Sequence, residues 1–197
     1  MEVRALSGSE IAAHLADLAA LRIAVFAEYP YLYDGDAAYE AAYIEEFAAA
    51  PDAALIAAFA KDDGGDRVVG AATASPLWAQ KPAIRAPFEE RGIDTNRLFY
   101  FGESVLLPEY RGRGLGHAFF DAREAAAREG GASAACFAAV IREGDHADRP
   151  AGFRPLDEFW RKRGYEQVPG LVSELSWKQH GEEEERLNRL QYWMREW

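Results

Sequence analysis

The chain has 197 residues, 49% of them hydrophobic, which is enough apolar side chain to fill the core of one domain. Its formal charge of −11 at pH 7 repels nucleic acid and anionic membranes; it suits a cationic partner such as an amine, or solubility alone. No apolar run reaches the ~20 residues of a membrane span, the single Cys136 has no disulfide partner, and His14, His117, His146 and His180 lack metal-ligand spacing, so a cytoplasmic protein without metal is expected.

From the N-terminus, MEVRAL reads as a short edge strand. Ser7 and Glu10 form an SxxE capping box, and the helix that follows buries Ile11, Leu15, Leu18, Leu21 and Val25 before Pro30 ends it. The next segment, YPYLYDGD, gathers Tyr29, Tyr31, Tyr33 and Asp34 in one loop. Such a loop can cage an amine, with cation–π attraction of about 0.5–2 kcal/mol, or its rings can cover the edge of the core. Asp36 caps a second helix through Tyr39, Tyr43 and Phe47, which Pro51 ends. DAALIAAFA and RVVGAATAS, joined by KDDGGD, make a hairpin. Residues 77–97 form a long connection with one helical turn, in which Trp78 and Phe88 either overhang a pocket or plug a hydrophobic edge.

Leu98 to Leu107 carry apolar residues on both faces, the mark of a central strand, and one carboxylate, Glu103, interrupts it. Strict alternation puts Glu103 on the face of Phe101 and Val105. RGRGLG then opens a helix whose inner stripe is Leu115, Phe119, Ala122 and Ala126, with Asp121, Glu124 and Arg128 outside. A strand, a glycine turn and a helix in that order build an anion site, because a helix start has unpartnered N–H groups and about half a positive charge. Gly112, Gly114 and Gly116 admit a close approach, and Arg111 and Arg113 add charge. The dinucleotide fingerprint fails at Phe119, and the Walker pattern is absent.

These residues resemble motif A of the GNAT superfamily of N-acetyltransferases, (Q/R)xxGx(G/A), matched by Arg111, Gly114 and Gly116 after a family-like lead-in, VLLPEY. The resemblance implies a single-domain α/β (α+β) acyl-CoA N-acyltransferase-like fold over residues 1–178, its mixed, splayed sheet having about six or seven strands flanked by helices. It implies transfer of an acetyl group from acetyl-CoA (coenzyme A) to a primary amine of a small molecule or peptide, by a monomer or homodimer. Arg111, Gly112, Arg113, Gly114, Leu115 and Gly116 would hold the pyrophosphate, and the backbones of Val105, Leu106 and Leu107 would pair with the pantetheine arm. Tyr29, Tyr31, Tyr33 and Asp34 would line the acceptor side. A non-catalytic acyl-CoA-binding module is the alternative.

Ser133 to Ile141 form a fifth strand that buries Cys136. Arg142, His146 and Arg149 follow in an irregular connection, as ligand contacts or as a solvated loop. Pro155 starts a short helix that Gly164 closes. LDEFWRKRGYE resembles the family's motif B, FYEKLGFE, through Phe159, Gly164 and Glu166. The family's acid tyrosine is replaced by Trp160, which the resemblance sets beside the coenzyme; an indole N–H is no acid near neutral pH, leaving Tyr165 or water to protonate the departing thiolate. A last strand starts at Leu171, and residues 179–197 read as a helical extension through Leu187, Leu190, Met194 and Trp197. Glu103 is the expected general base, since an amine must lose a proton before it attacks a thioester.

Overall fold

The computed structural model describes every residue except Ser7, Asp63 and Gly64. Among the described residues, seven strands form one sheet in the order β1 (Glu2–Ala5), β2 (Ala54–Asp62), β3 (Gly65–Pro76), β4 (Leu98–Leu106), β5 (Ala134–Val140), β7 (Glu185–Glu196) and β6 (Glu166–Lys178). The helices are α1 (Gly8–Ala13), α2 (Leu15–Phe26), α3 (Ala37–Ala48), α4 (Pro82–Glu89), α5 (Leu115–Glu129) and α6 (Asp157–Lys162).

Only β4 and β5 are parallel neighbours, and parallel strands need a crossover, which α5 supplies. Their pairing stops after Leu98–Ala134, Phe99–Ala135 and Tyr100–Cys136. Beyond Tyr100 the two strands part, leaving the second half of β4 with one unpaired edge. Across β3, Ala72 pairs with Ser104 but Ala74 with Phe101, so β4 holds an extra residue and bulges at Gly102–Glu103. The bulge corrects the alternation reading: Phe101 packs under α5, while Glu103 joins Val105 on the face covered by α2 and α3.

Each face of the sheet has its own layer. Leu18 and Leu21 of α2 and Ile44 and Phe47 of α3 cover β2, β3 and Val105, and Phe88 of α4 continues that layer, edge-on to Tyr192 at 4.7 Å. On the other face Leu115 and Phe119 of α5 pack over β2 and β3, while Phe120 with Phe159 and Trp160 of α6 packs over β4, β5 and β7. Full burial of each such side chain contributes about 1.5–3 kcal/mol.

Four expectations change. The first helix is two, broken at His14, whose ring turns edge-on to Phe59 at 5.3 Å; the Ser7 cap lies outside the described residues. Asp36 does cap α3, accepting from the Tyr39 N–H at 2.8 Å, but Tyr39 is exposed and Glu40 is buried in its place. The 77–97 connection contains all of α4, where Phe88 is a core residue. Residues 179–197 are no helical extension, since β7 lies between β5 and β6 and bonds to both. Asn188, Leu190 and Tyr192 bury one face of β7 and Trp193 the other, so two-sided cover selects the strand.

Candidate active site

After β4, Pro108–Tyr110 make a short 3-10 turn and Arg111 is extended. Gly112 at φ +73° and Gly114 at φ +83° then reverse the chain into α5, a conformation that penalises any residue with a Cβ. A Cβ at either glycine would meet nothing within 4 Å, so the loop stands open. The Gly114 carbonyl accepts from the His117 and Ala118 N–H groups at 3.0 and 3.2 Å. The N–H groups of Leu115 and Gly116 therefore precede the helical ladder, at the positive end of a helix of 15 residues. The Leu115 side chain is buried in the core, so its share in an anion site is its N–H.

Arg111 braces the loop: its Nε donates to the Leu106 carbonyl at 3.1 Å, and its terminal nitrogen meets Glu28 at 2.8 Å. Arg113 is exposed and stacks on Tyr110 at 5.5 Å. The Leu107 N–H bonds Val69 of β3 at 3.0 Å. Since strand residues serve alternate edges, Val105 also faces β3, while the N–H and C=O groups of Leu106 and Ser104 point to the unpaired edge. Of Val105, Leu106 and Leu107, the expected pantetheine partners, Leu106 is the one that faces the unpaired edge, where its carbonyl already accepts from Arg111. Ser104 is exposed although it stands in an interior strand.

On the opposite face, Arg22 of α2 bonds the carboxylates of both Glu40 and Glu103. Its guanidinium lies 4.2 Å from the Tyr43 ring centroid and 5.1 Å from that of Phe26. Burial alone would lower the Arg22 pKa, but Glu103, Tyr43 and Glu40 together hold it above the ordinary range. The Tyr43 hydroxyl donates to Glu103 Oε2 at 3.3 Å, and the Glu103 N–H donates to Thr73 Oγ1 at 3.1 Å. Burial, then the Glu103 charge, pushes the Tyr31 pKa up to about 12. Burial, then Glu40, holds the Tyr33 pKa above its ordinary value.

The tyrosine loop is divided. Tyr31 and Tyr33 join the Arg22 network, whereas Tyr29 packs on Phe153 at 4.7 Å and His146 at 5.7 Å. Asp34 is partly exposed and pairs with Lys178 at 3.1 Å and His180 at 3.5 Å. The loop is also clamped: Arg142 donates to the Pro30 carbonyl at 2.7 Å and the Tyr31 carbonyl at 3.3 Å, and the Trp177 indole donates to the Tyr31 carbonyl at 3.0 Å. Sequence reading missed Arg22, Glu40 and Trp177 as site components, and had Arg142 as a ligand contact or a loop residue rather than as a clamp. The available signal was Arg22 within the apolar stripe of α2 and Glu40 among the apolar residues of α3.

Tyr165 is corrected as the acid. It is fully buried, its hydroxyl donates to Glu124 Oε1 at 3.2 Å, and burial followed by the Glu124 charge raises its pKa well above the ordinary value. Glu124 is itself buried, against the outward reading, because Arg163 at 3.0 Å and Arg195 at 3.2 Å pair with it. Trp160 is half-buried against Phe137 at 5.0 Å and Trp193 at 5.1 Å.

Solved structures share this architecture. A ribosomal-protein-alanine N-acetyltransferase from Brucella melitensis aligns over 100% of both chains at 16% identity, with a TM-score of 0.63. An aminoglycoside 6'-N-acetyltransferase complexed with coenzyme A aligns over 100% of this chain and 97% of its own at 16% identity, TM-score 0.61. An acetyltransferase from Salmonella typhimurium with its cofactor acetyl-CoA aligns over 99% of this chain and 92% of its own at 12% identity, TM-score 0.59. No curated protein matches the chain in sequence. The seven-stranded mixed sheet flanked by helices is thus the acyl-CoA N-acyltransferase-like fold. Residues 18–165 match the family model of the acetyltransferase (GNAT) family, and the chain belongs to that family.

Proposed function

We propose that the protein transfers an acetyl group from acetyl-CoA to the amine of a small molecule or peptide in the cytoplasm, where a lone buried cysteine such as Cys136 suits the reducing conditions. The observation that carries this reading is the meeting, at the end of β4, of an unpaired strand edge with an open glycine loop heading α5. Gly112 and Gly114 leave room for a pyrophosphate, the N–H groups of Leu115 and Gly116 bind it, and Arg111 and Arg113 add positive charge. The Ser104 backbone groups and the Leu106 N–H face the pantetheine amides, the Leu106 carbonyl being held by Arg111. Trp160 presents apolar surface rather than a proton.

Bound there, the coenzyme supplies a thioester whose carbonyl carbon the amine attacks, a C–N bond forming as the C–S bond breaks. Tyr31, Tyr33 and Tyr43 surround the amine with rings, and Glu103 takes its proton, directly or through one water. With Tyr165 sealed in the core, the departing thiolate takes its proton from solvent. The relatives named above act on a ribosomal protein and on aminoglycosides, which supports an amine acceptor without choosing between peptide and small molecule.

The sealed Tyr165 also favours the second reading, a coenzyme-binding module without turnover. Steady-state release of free thiol from acetyl-CoA across a panel of amines, amino acids and peptides separates the two. Amine-dependent release establishes the enzyme; coenzyme binding with no release for any acceptor establishes the module.

A further inference from the structure

Arg123, in the middle of α5, is a buried cation. It is 2% exposed, and its guanidinium lies 4.6 Å from the ring centroids of both Phe101 and Phe120. Its Nε donates to the Phe119 carbonyl at 3.3 Å, and one terminal nitrogen donates to the Glu103 carbonyl at 3.3 Å. The nearby carboxylates are committed elsewhere: Glu103 to Arg22 on the far face of β4, and Glu124 to Arg163 and Arg195. Among the described residues no carboxylate is ion-paired with Arg123. Burial lowers its pKa to about 10, as expected of a charge whose surroundings compensate it incompletely. Two carbonyls and two ring faces leave terminal donors of the guanidinium unspent.

The place of this charge is informative. The Glu103 carbonyl stands where β4 has already lost β5, and the next residue, Ser104, is exposed. Across the opening, β5 continues with the small residues Ala138 and Ala139. Eight helical residues, ~12 Å of rise, separate Leu115 from Arg123. β4 covers a similar ~13 Å from Leu107 back to Glu103, so an arm laid along the strand from the glycine loop ends at the level of Arg123.

We propose that Arg123, with Ser104 at the mouth of the gap, recognises a carboxylate at the far end of the donor's acyl group, so that the site takes thioesters of short dicarboxylic acids, malonyl or succinyl, as well as acetyl, and binds them more tightly. This rests on the reading of the gap as the coenzyme site. A guanidinium fork matches a carboxylate in two parallel hydrogen bonds, and the bound anion supplies the missing counter-charge. The transfer itself is unchanged: the C–N bond forms, the C–S bond breaks, and the distal carboxylate travels as a spectator.

Calorimetric titration with free coenzyme A, acetyl-CoA, malonyl-CoA and succinyl-CoA tests this without knowledge of the acceptor. The wild-type protein is expected to bind malonyl- or succinyl-CoA about tenfold more tightly than acetyl-CoA. Arg123→Met keeps the length of the stem and removes the charge, and should bring that ratio to about one. Arg123→Lys keeps the charge without the fork and should retain part of the preference. Equal wild-type affinities for acetyl and carboxylated donors, or an undiminished preference in Arg123→Met, would overturn the assignment while leaving the coenzyme site standing. Failure of every thioester and of free coenzyme A to bind would overturn both. If circular dichroism shows Arg123→Met unfolded, the wild-type ratio and the lysine variant decide.

Discussion

The Tyr165 hydroxyl, fully buried, donates to Glu124 Oε1 at 3.2 Å. Arg163 and Arg195 bind the same carboxylate at 3.0 and 3.2 Å, so the phenol is one of three donors satisfying a buried anion. Tyr165→Phe is therefore expected to cost about 1 kcal/mol of stability in urea denaturation, one hydrogen bond among several. Thiol release by the folded variant should stay within about twofold of wild type, whereas loss of a general acid costs about a hundredfold or more. A fall of that size would return Tyr165 to the chemistry.

Other tyrosines behave alike. Burial pushes Tyr31 up to about 12 and holds Tyr43, Tyr100, Tyr165 and Tyr192 higher still. Below pH ~10 the folded and unfolded chains both keep these protons, so the contribution to stability is complete there. Above it the unfolded chain releases them first and stability falls as pH rises. Tyrosinate absorbance should thus appear largely in one cooperative step together with loss of circular dichroism. Gradual titration of all nine tyrosines near pH ~10 in a folded protein would contradict the burial described.

The segment from β4 through the glycine loop to α5 was legible because its signals are local: an apolar run, positive-φ glycines and a helical stripe all lie within about thirty residues. What was misread depends on distant partners. Glu103 changed face because of a bulge that exists only in register with β3. Glu124 is buried by arginines 39 and 71 residues further on, and Arg22 by a carboxylate 81 residues away. In the tail, Leu187, Leu190, Met194 and Trp197 fit a helix as well as Asn188, Leu190, Tyr192 and Met194 fit a strand. Only the slot between β5 and β6 chooses.

Gly114→Asp should abolish the rise in Tm that acetyl-CoA gives the wild-type protein, because it sets a carboxylate where the pyrophosphate would lie and forces a Cβ into φ +83°. Gly114→Ala controls for the backbone strain, which is on the order of 1 kcal/mol, and should keep part of the shift. An undiminished shift in Gly114→Asp would move the coenzyme away from this loop.

Arg142 holds the tyrosine loop through the Pro30 and Tyr31 carbonyls and also donates to Asn188 Oδ1 at 2.8 Å. Arg142→Ala releases all three and leaves the Tyr31 carbonyl to Trp177 alone, which loosens the loop. The acceptor KM should rise about tenfold, the equivalent of roughly one charge-assisted hydrogen bond, with the KM for acetyl-CoA nearly unmoved. Equal rises in both, together with a lowered Tm, would mean that the clamp serves the fold alone.

Glu103→Gln separates charge from shape at the centre of the proposed acceptor site. The amide occupies the same volume, its oxygen still accepts from Tyr43, and Arg22 keeps Glu40 as its counter-ion, so the α2–α3 layer should stay folded. What disappears is the group able to take the amine's proton where β4 leaves β5. The expected result is a fall in kcat of about a hundredfold or more, the ordinary range for loss of a general base. Affinity for acetyl-CoA should hold, because its phosphate loop lies at the far end of β4 and bonds none of the Glu103 partners. Wild-type kcat in the variant across the pH range would show that a water carries the proton without Glu103, which would then serve only as the second anchor of Arg22.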